Sequence, residues 1–326
     1  MSNLRLKIMK AVVYKKNSPN DKLVYTDIEK PSPADSEVLV KIHAASVNAA
    51  DYRSMKMGII PKKKVFGADI AGIIESVGKD VTLFSPGDEV FADLSDSGFG
   101  GFAEYAVVPE KQLAYKSGNL SFEETAALPL ASVTALQAIR DKGKISKGQH
   151  VLILGSSGGV GTYAIQLAGY FGAEVTAVCS TRHTEQAISL GADHVIDYTK
   201  ENVTANSRKY DLILAVNGNY PLLKCRRLLK KSGIYVMVGG TLKQIFKALI
   251  FGRFLSLGSR KVRTVAAKPN KEDLGLIAKL AEEGRLKPVI EKIYPIEKTA
   301  EAMRYAGEGH AKGKVVIVIA GSQDVD

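Results

Sequence analysis

The stretch VLILGSSGGVG, residues 151–161, sets a run of apolar residues directly against a loop of glycine and serine. A continuous apolar run marks a strand buried on both faces, and a loop stripped of side chains marks a place where backbone comes close to something else. Gly155, Gly158 and Gly161 recur every third residue where the strand gives way to the helix-like TYAIQLAGYFG. In a strand–turn–helix context that spacing permits a tight turn, lets backbone N–H groups approach a pyrophosphate, and brings helix against sheet. The helix N-terminus adds partial positive charge. A dinucleotide is the expected ligand, with Gly155, Ser156, Ser157, Gly158, Gly159, Val160 and Gly161 along its path. A ligand-free turn would not need three spaced glycines plus Gly159.

The pattern continues downstream. EVTAVCS, HVIDY, YDLILAVNG and GIYVMVGG read as strands, and TEQAISLG and YPLLKCRRLLKKSG as helices. Strands separated by helical stretches give a parallel, doubly wound sheet of Rossmann type. Upstream, KAVVYKK, EVLVKIHAASV, ADIAGIIESVG, GDEVFADL and AEYAVVPE are short β-branched runs bounded by turn residues, which predicts a small, mostly antiparallel β-domain. Between the two, EETAALPLASVTALQAIRDKG has the apolar spacing of one helix despite Pro129. The tail offers a helix, KEDLGLIAKLAEEGRL, and a closing strand, KVVIVIA, and is expected to return to the β-domain. The fold class is therefore α/β in two domains, a discontinuous one at 1–124 and 265–326 and a dinucleotide-binding one at 125–264. A length of 326 residues suits two cores.

Composition narrows the function. Hydrophobic residues are 45% and charged residues 24%, ordinary for a soluble globular chain. Cys179 and Cys225 are too few for a disulfide framework, and neither has zinc-ligand spacing to another Cys or His. With no secretory signal and no long apolar run, the expected location is cytoplasmic, without stable membrane insertion. The net charge of +11 is spread along the chain with no aromatic-interleaved basic motif, so no nucleic-acid partner is expected. One segment, KQIFKALIFGRFLSLGSRKVR at 243–263, interleaves apolar and cationic residues and leaves peripheral association with anionic lipid open.

Cofactor choice is read at the end of the second strand of the doubly wound unit. A site for NAD places Asp or Glu there to accept from the ribose 2′-hydroxyl. Here the strand ends CSTRH, and Ser180 and Arg182 offer a hydroxyl and a guanidinium, the groups that hold a 2′-phosphate. The expected cofactor is NADP(H).

ASVNAADYRS, FGADIAGIIESVG, PGDEVFA, FGGFAEYAVVP, ALPLASVTALQA, VLILGSSGGVG, LGADHVIDY and HAKGKVVIVI stand in the order of landmarks in the medium-chain dehydrogenase/reductases. The chain resembles that family from Met9 to Ile319, and within it the zinc-independent quinone oxidoreductase branch. The resemblance implies a GroES-like fold for the β-domain, a homodimer, and a quinone, enone or enal as the small-molecule substrate. It also implies, position by position, that Asn48 lies beside the nicotinamide and that Thr134 contacts the cofactor. Tyr198 is then near the adenosine phosphate, and Asn217, Gly218, Val238 and Gly239 near the nicotinamide ribose. Tyr52, Arg53 and Lys56, just beyond Asn48, are candidates to donate a hydrogen bond or a proton to an enolate. Asp51 is expected to brace the turn.

Departures from the zinc enzymes of the family are as informative. Ser46 stands where they carry a first cysteine ligand, and Gly67, Ala68 and Asp69 where they carry Gly-His-Glu. Without a Lewis acid an isolated carbonyl loses its main electrostatic support, whereas a conjugated acceptor spreads the charge that hydride brings. The expected activity is NADPH-dependent reduction of quinones or of the C=C bond of α,β-unsaturated carbonyls. A 2-enoyl thioester reductase, and an NADPH-binding protein acting through a membrane or protein partner, are the alternatives.

Overall fold

Strands in the first third of the chain are built on alternation. In β3 (Glu37–Val47) Val38, Val40 and Ile42 are fully buried, because successive side chains of a strand take opposite faces and one face packs on the core. The computed structural model describes residues 7–18, 22–205, 207–217, 220–239, 258–309 and 311–319. Contacts divide it into two units. One runs to Leu130 and resumes at Pro269–Gly284 and from Pro288, and the other is Ala131–Lys268 with Arg285–Lys287.

In the first unit β1 (Ile8–Tyr14) and β2 (Leu23–Glu29) form an antiparallel pair. A larger sheet has β3 at its centre, flanked by β4 (Asp69–Val77), then β5 (Glu89–Asp93) and β7 (Leu113–Tyr115) on one side. On its other side lie β15 (Lys314–Val318) and β14 (Ile290–Pro295), with β6 (Tyr105–Pro109) also paired to β3. The tail strand β15 is thus antiparallel to β3. Phe66, Ile70, Val90 and Phe102 fill the core beneath. The strand α-helical neighbours are α1 (Ala49–Lys56), α2 (Phe122–Ala126), α7 (Lys271–Glu282) and α8 (Thr299–Gly307). The start of α2 is a reciprocal cap, with Glu124 N–H donating to Ser121 Oγ at 3.1 Å and Ser121 N–H to Glu124 Oε2 at 2.9 Å.

The second unit holds β8 (His150–Leu154), β9 (Glu174–Cys179), β10 (His194–Asp197), β11 (Tyr210–Ala215), β12 (Leu229–Met237) and β13 (Lys261–Thr264). All are parallel, in the order β10-β9-β8-β11-β12-β13. That order reverses direction at β8, the topological switch point where doubly wound sheets receive ligands. The connections include α4 (Gly159–Tyr170), α5 (Thr184–Ser189) and α6 (Leu222–Arg227).

Two expectations need correction. The single helix across Pro129 is two, α2 and α3 (Pro129–Leu136), followed by a π-helical turn at Gln137–Lys142. Proline lacks an N–H and suits a first helical position, so α3 begins at Pro129 instead of running through it. The helix expected over YPLLKCRRLLKKSG stops at Arg227, and Leu229 already pairs with Tyr210 in the sheet. Leu228 and Leu229 are buried against β11, so packing on the sheet overrides helical spacing here. Of segment 243–263, residues 243–257 lie outside the described residues, and Lys261–Arg263 belong to β13.

Candidate functional site

Register places chemistry in a row across the β-domain. Ser46 of β3 lies opposite Asp69 of β4, and Asp69 opposite Asp93 of β5, so the three polar side chains share one face of the sheet. Asn48 follows the end of β3, and Lys314 opens β15 beside it. Asp69 Oδ2 accepts from Ser46 Oγ at 2.8 Å, from Asn48 Nδ2 at 2.8 Å and from Lys314 Nζ at 3.1 Å. Its other oxygen accepts from Leu130 N–H at 2.9 Å. Lys314 Nζ also donates to Asn48 Oδ1 at 2.6 Å, and Asn48 Nδ2 reaches Ser46 O at 3.3 Å.

Every polar atom of the Asn48 amide is therefore engaged within the network, which fixes its flip and its ring of partners. Asp69 is fully buried and Lys314 is 3% exposed. A charge in such a place is tolerable only when paired and hydrogen-bonded, and here each partner meets that condition for the other. Sequence reading named Asp69 only as standing where the zinc enzymes carry Glu, and missed Lys314. The signal available was a lysine opening an otherwise apolar strand, KVVIV.

Asp51 braces the turn as expected. Its carboxylate accepts from Asn48 N–H at 2.7 Å and from Gly67 N–H at 3.0 Å, tying the start of α1 to the turn before β4. Full burial pushes its pKa up to about 7, against the pull of those two N–H bonds. Burial, and then the charge of Asp69, raise Asp93 as well.

Asn48, Tyr52 and Lys56 succeed one another at four-residue intervals and so share a face of α1. They differ in surroundings. Asn48 is buried, Tyr52 is half-buried with its ring against Gly307 of α8, and Lys56 is exposed. Burial raises the Tyr52 phenol, which stays protonated through neutral pH and bonds with neighbouring Arg53.

In the second unit the expected cofactor residues gather at the carboxyl ends of parallel strands. Gly155 follows β8 with φ +80°, and a Cβ there would meet Asn217 N at 2.8 Å. A Cβ at Gly161 would lie 2.3 Å from Gly155 O, so the glycines let the turn and α4 close on each other. Nothing lies within 4 Å of a Cβ at Gly158, the N-cap of α4. Ser157, Gly159 and Val160 are half-buried around it. Ser156 turns inward, its Oγ donating to Val178 O at 2.9 Å, so only its backbone faces the loop.

Thr134 is buried in α3, Val238 and Gly239 follow β12, and Asn217 follows β11; Gly218 lies outside the described residues. Ser180 caps a short 3-10 turn, Thr181–His183, after β9. Arg182 in that turn is exposed and has no ion pair among the described residues. Tyr198, 53% exposed, follows β10. Beside it is a carboxylate that sequence reading passed over. Asp197 accepts from Thr181 Oγ1 at 2.5 Å and from Thr199 Oγ1 at 2.6 Å, and the Thr181 hydroxyl above all holds its pKa down to about 2. Its Oδ2 thus braces the turn that carries Arg182, while its Oδ1 holds Thr199 just beyond β10.

Two family models match the chain: "Alcohol dehydrogenase GroES-like domain" over residues 34–118 and "Zinc-binding dehydrogenase" over 190–317. Quinone-oxidoreductase QR1, chloroplastic, of Triphysaria versicolor is 34% identical across 90% of this chain and 93% of its own length. NADPH-dependent alkenal/one oxidoreductase, chloroplastic, of Arabidopsis thaliana is 35% identical across 95% of this chain and 80% of its own. The solved quinone oxidoreductase of Coxiella burnetii superposes with a TM-score of 0.86 at 28% identity, covering 96% of this chain and all of that one. With its GroES-like β-domain and Rossmann-type unit, the chain belongs to the medium-chain dehydrogenase/reductases, a family of NAD(P)-dependent oxidoreductases.

Proposed function

We propose that the protein is an NADPH-dependent reductase of quinones or of the C=C bond of α,β-unsaturated carbonyls, working without zinc. The observation that carries this reading is Asp69. Its Oδ2 is already taken by Ser46, Asn48 and the Lys314 ammonium, so a cation of this chain sits where a metal ligand would have to be free. The neighbouring donors are a serine hydroxyl and a carboxylate, a hard set with no thiolate or imidazole, which does not fit a tetrahedral zinc site. Names of relatives point to the same substrate classes.

Residues of the second unit fit a phosphorylated dinucleotide. The open space at Gly158 admits a pyrophosphate to backbone N–H groups at the start of α4, and the exposed Arg182, with Ser180, suits a 2′-phosphate. Bound nicotinamide supplies the hydride. In the β-domain Lys314 and Asp69 hold Asn48 in one orientation, and Tyr52 keeps a phenolic proton for delivery to the reduced substrate. Asn48 serves as a positioning residue, its amide hydrogens being turned inward to Asp69 and Ser46.

NADPH consumption with a quinone, an enone and a saturated ketone of similar size, before and after dialysis against a strong chelator, tests the reading. Turnover of the first two, unchanged by the chelator, is expected. Restoration of lost activity by zinc would overturn it.

A further inference from the structure

From Tyr52 to Ala68 the sequence holds five cations, Arg53, Lys56, Lys62, Lys63 and Lys64, and no acid. The part between α1 and β4 is a tight loop. Gly58 N–H donates to Met55 O at 3.1 Å, Ile59 N–H to Ser54 O at 2.9 Å, and Lys64 N–H to Pro61 O at 2.8 Å. Ile60 packs on the β-domain core and Pro61 is buried, anchoring the loop from below. Met57 and Ile59 point the other way, 47% and 59% exposed.

A second loop, between β1 and β2, runs alongside. Tyr14 N–H donates to Lys64 O at 2.7 Å, and Lys15 N–H to Lys22 O at 2.7 Å. Lys64 thus lies beside the strand end that leads into Lys15 and Lys16, and Lys22 lies opposite Lys15; Lys62 and Lys63 precede Lys64 in the same loop. All six are exposed, and none forms an ion pair among the described residues. Residues 19–21, including the acidic Asp21, lie outside the described residues.

A single exposed apolar side chain is ordinary. Two of them, held outward by a hydrogen-bonded loop that also carries exposed lysines with no ion pair among the described residues, ask for a partner that is anionic at its surface and apolar just beneath. A soluble polyanion would engage the lysines and leave Met57 and Ile59 in water. An apolar protein patch would cover Met57 and Ile59 and strand the lysines. An anionic bilayer matches both, with phosphate and carboxylate headgroups at the level of the lysines and acyl chains below them.

We propose that the loop from Met57 to Lys64, with the adjoining Lys15, Lys16 and Lys22, docks the β-domain on an anionic lipid surface, the lysines lying among the headgroups and Met57 and Ile59 dipping beneath them. The proposal is independent of which substrate is reduced.

Co-sedimentation of the full chain with phosphatidylcholine vesicles, with and without phosphatidylserine, tests it. Binding is expected only with phosphatidylserine and weakens as salt rises. Lys62→Ala with Lys63→Ala lowers the partition coefficient roughly 25-fold, about fivefold per lysine. Lys144→Ala with Lys147→Ala, exposed in the other unit and equal in charge change, leaves it within about twofold of the parent on the same scale. Met57→Ser with Ile59→Ser weakens vesicle binding but not retention on heparin. Circular dichroism and NADPH turnover confirm that each variant is folded.

Absence of binding at low salt would overturn the proposal, as would equal losses from the two lysine pairs. So would serine variants that bind vesicles like the parent: unchanged heparin retention would then mark a mere polyanion surface, and a raised KM for the quinone a substrate wall.

Discussion

Lys314 Nζ lies 2.6 Å from Asn48 Oδ1 and 3.1 Å from Asp69 Oδ2, although 266 residues of chain separate Lys314 from Asn48. The tail strand β15 thus delivers an ammonium to a network built on residues of β3, β4 and the segment after β3. Removing the ammonium leaves Asp69 buried with its charge uncompensated. We expect Lys314→Met to lower unfolding free energy by about 3–5 kcal/mol, the usual cost of breaking a buried pair. Adding Asp69→Asn to Lys314→Met should recover part of that loss. Urea unfolding of the two variants checks this, and a Lys314→Met protein as stable as the parent would contradict the pairing.

The buried carboxyl of Asp51 gives the fold a pH dependence of unusual sign. Its pKa is raised from 3.8 to about 7 by burial, so between those values the folded chain keeps a proton that the unfolded chain has lost. Stability contributed by that proton is full below about pH 4, falls as pH rises towards 7, and is gone above. A shift of this size corresponds to something on the order of 4 kcal/mol. Asp197, held low, acts in the opposite sense and only at strongly acid pH. Carbon-13 NMR should show the Asp51 carboxyl titrating near neutrality, with the urea midpoint declining from pH 5 to pH 8. A carboxyl already ionised at pH 5 would refute it.

Arg182 is exposed beside Ser180, with no ion pair among the described residues, while the adjacent Thr181 is fastened to Asp197. Arg182→Ala should weaken NADPH binding by about 1.5–3 kcal/mol, the worth of a charge-assisted hydrogen bond, and leave NADH binding nearly untouched. Calorimetric titration with both nucleotides measures the difference. Equal losses would mean that Arg182 does not read the 2′-phosphate.

Tyr52→Phe removes a half-buried phenol while keeping its ring against Gly307. If Tyr52 delivers the proton, kcat should fall by about 10²-fold or more with NADPH affinity unchanged. A variant with parental kcat would assign protonation elsewhere.

Both sheets could be read from the sequence because each leaves its own trace: short β-branched runs bounded by turn residues for β3 and β4, continuous apolar runs for β8 and β11. What escaped was set by tertiary contact. The strand β12 begins at Leu229, inside a segment with helical spacing, because Leu228 and Leu229 pack against β11. The glycine loop was singled out by its local spacing, and Asn48 by the family resemblance alone. Lys314 and Asp197 were not, since their meaning comes from partners in other strands, Asn48 and Asp69 for one and Thr181 for the other.

In the proposed reaction a conjugated acceptor takes hydride at carbon, with no metal to hold a localised alkoxide. Each ~1.4 kcal/mol of missing stabilisation costs about tenfold in rate, so a saturated ketone should be almost inert. NADPH deuterated at its transferable position, turned over with an enone, gives the decisive measurement by mass spectrometry and deuterium NMR of the product. The account requires deuterium on the β-carbon and an intact carbonyl. Deuterium on the carbonyl carbon, with an allylic alcohol as product, would contradict it.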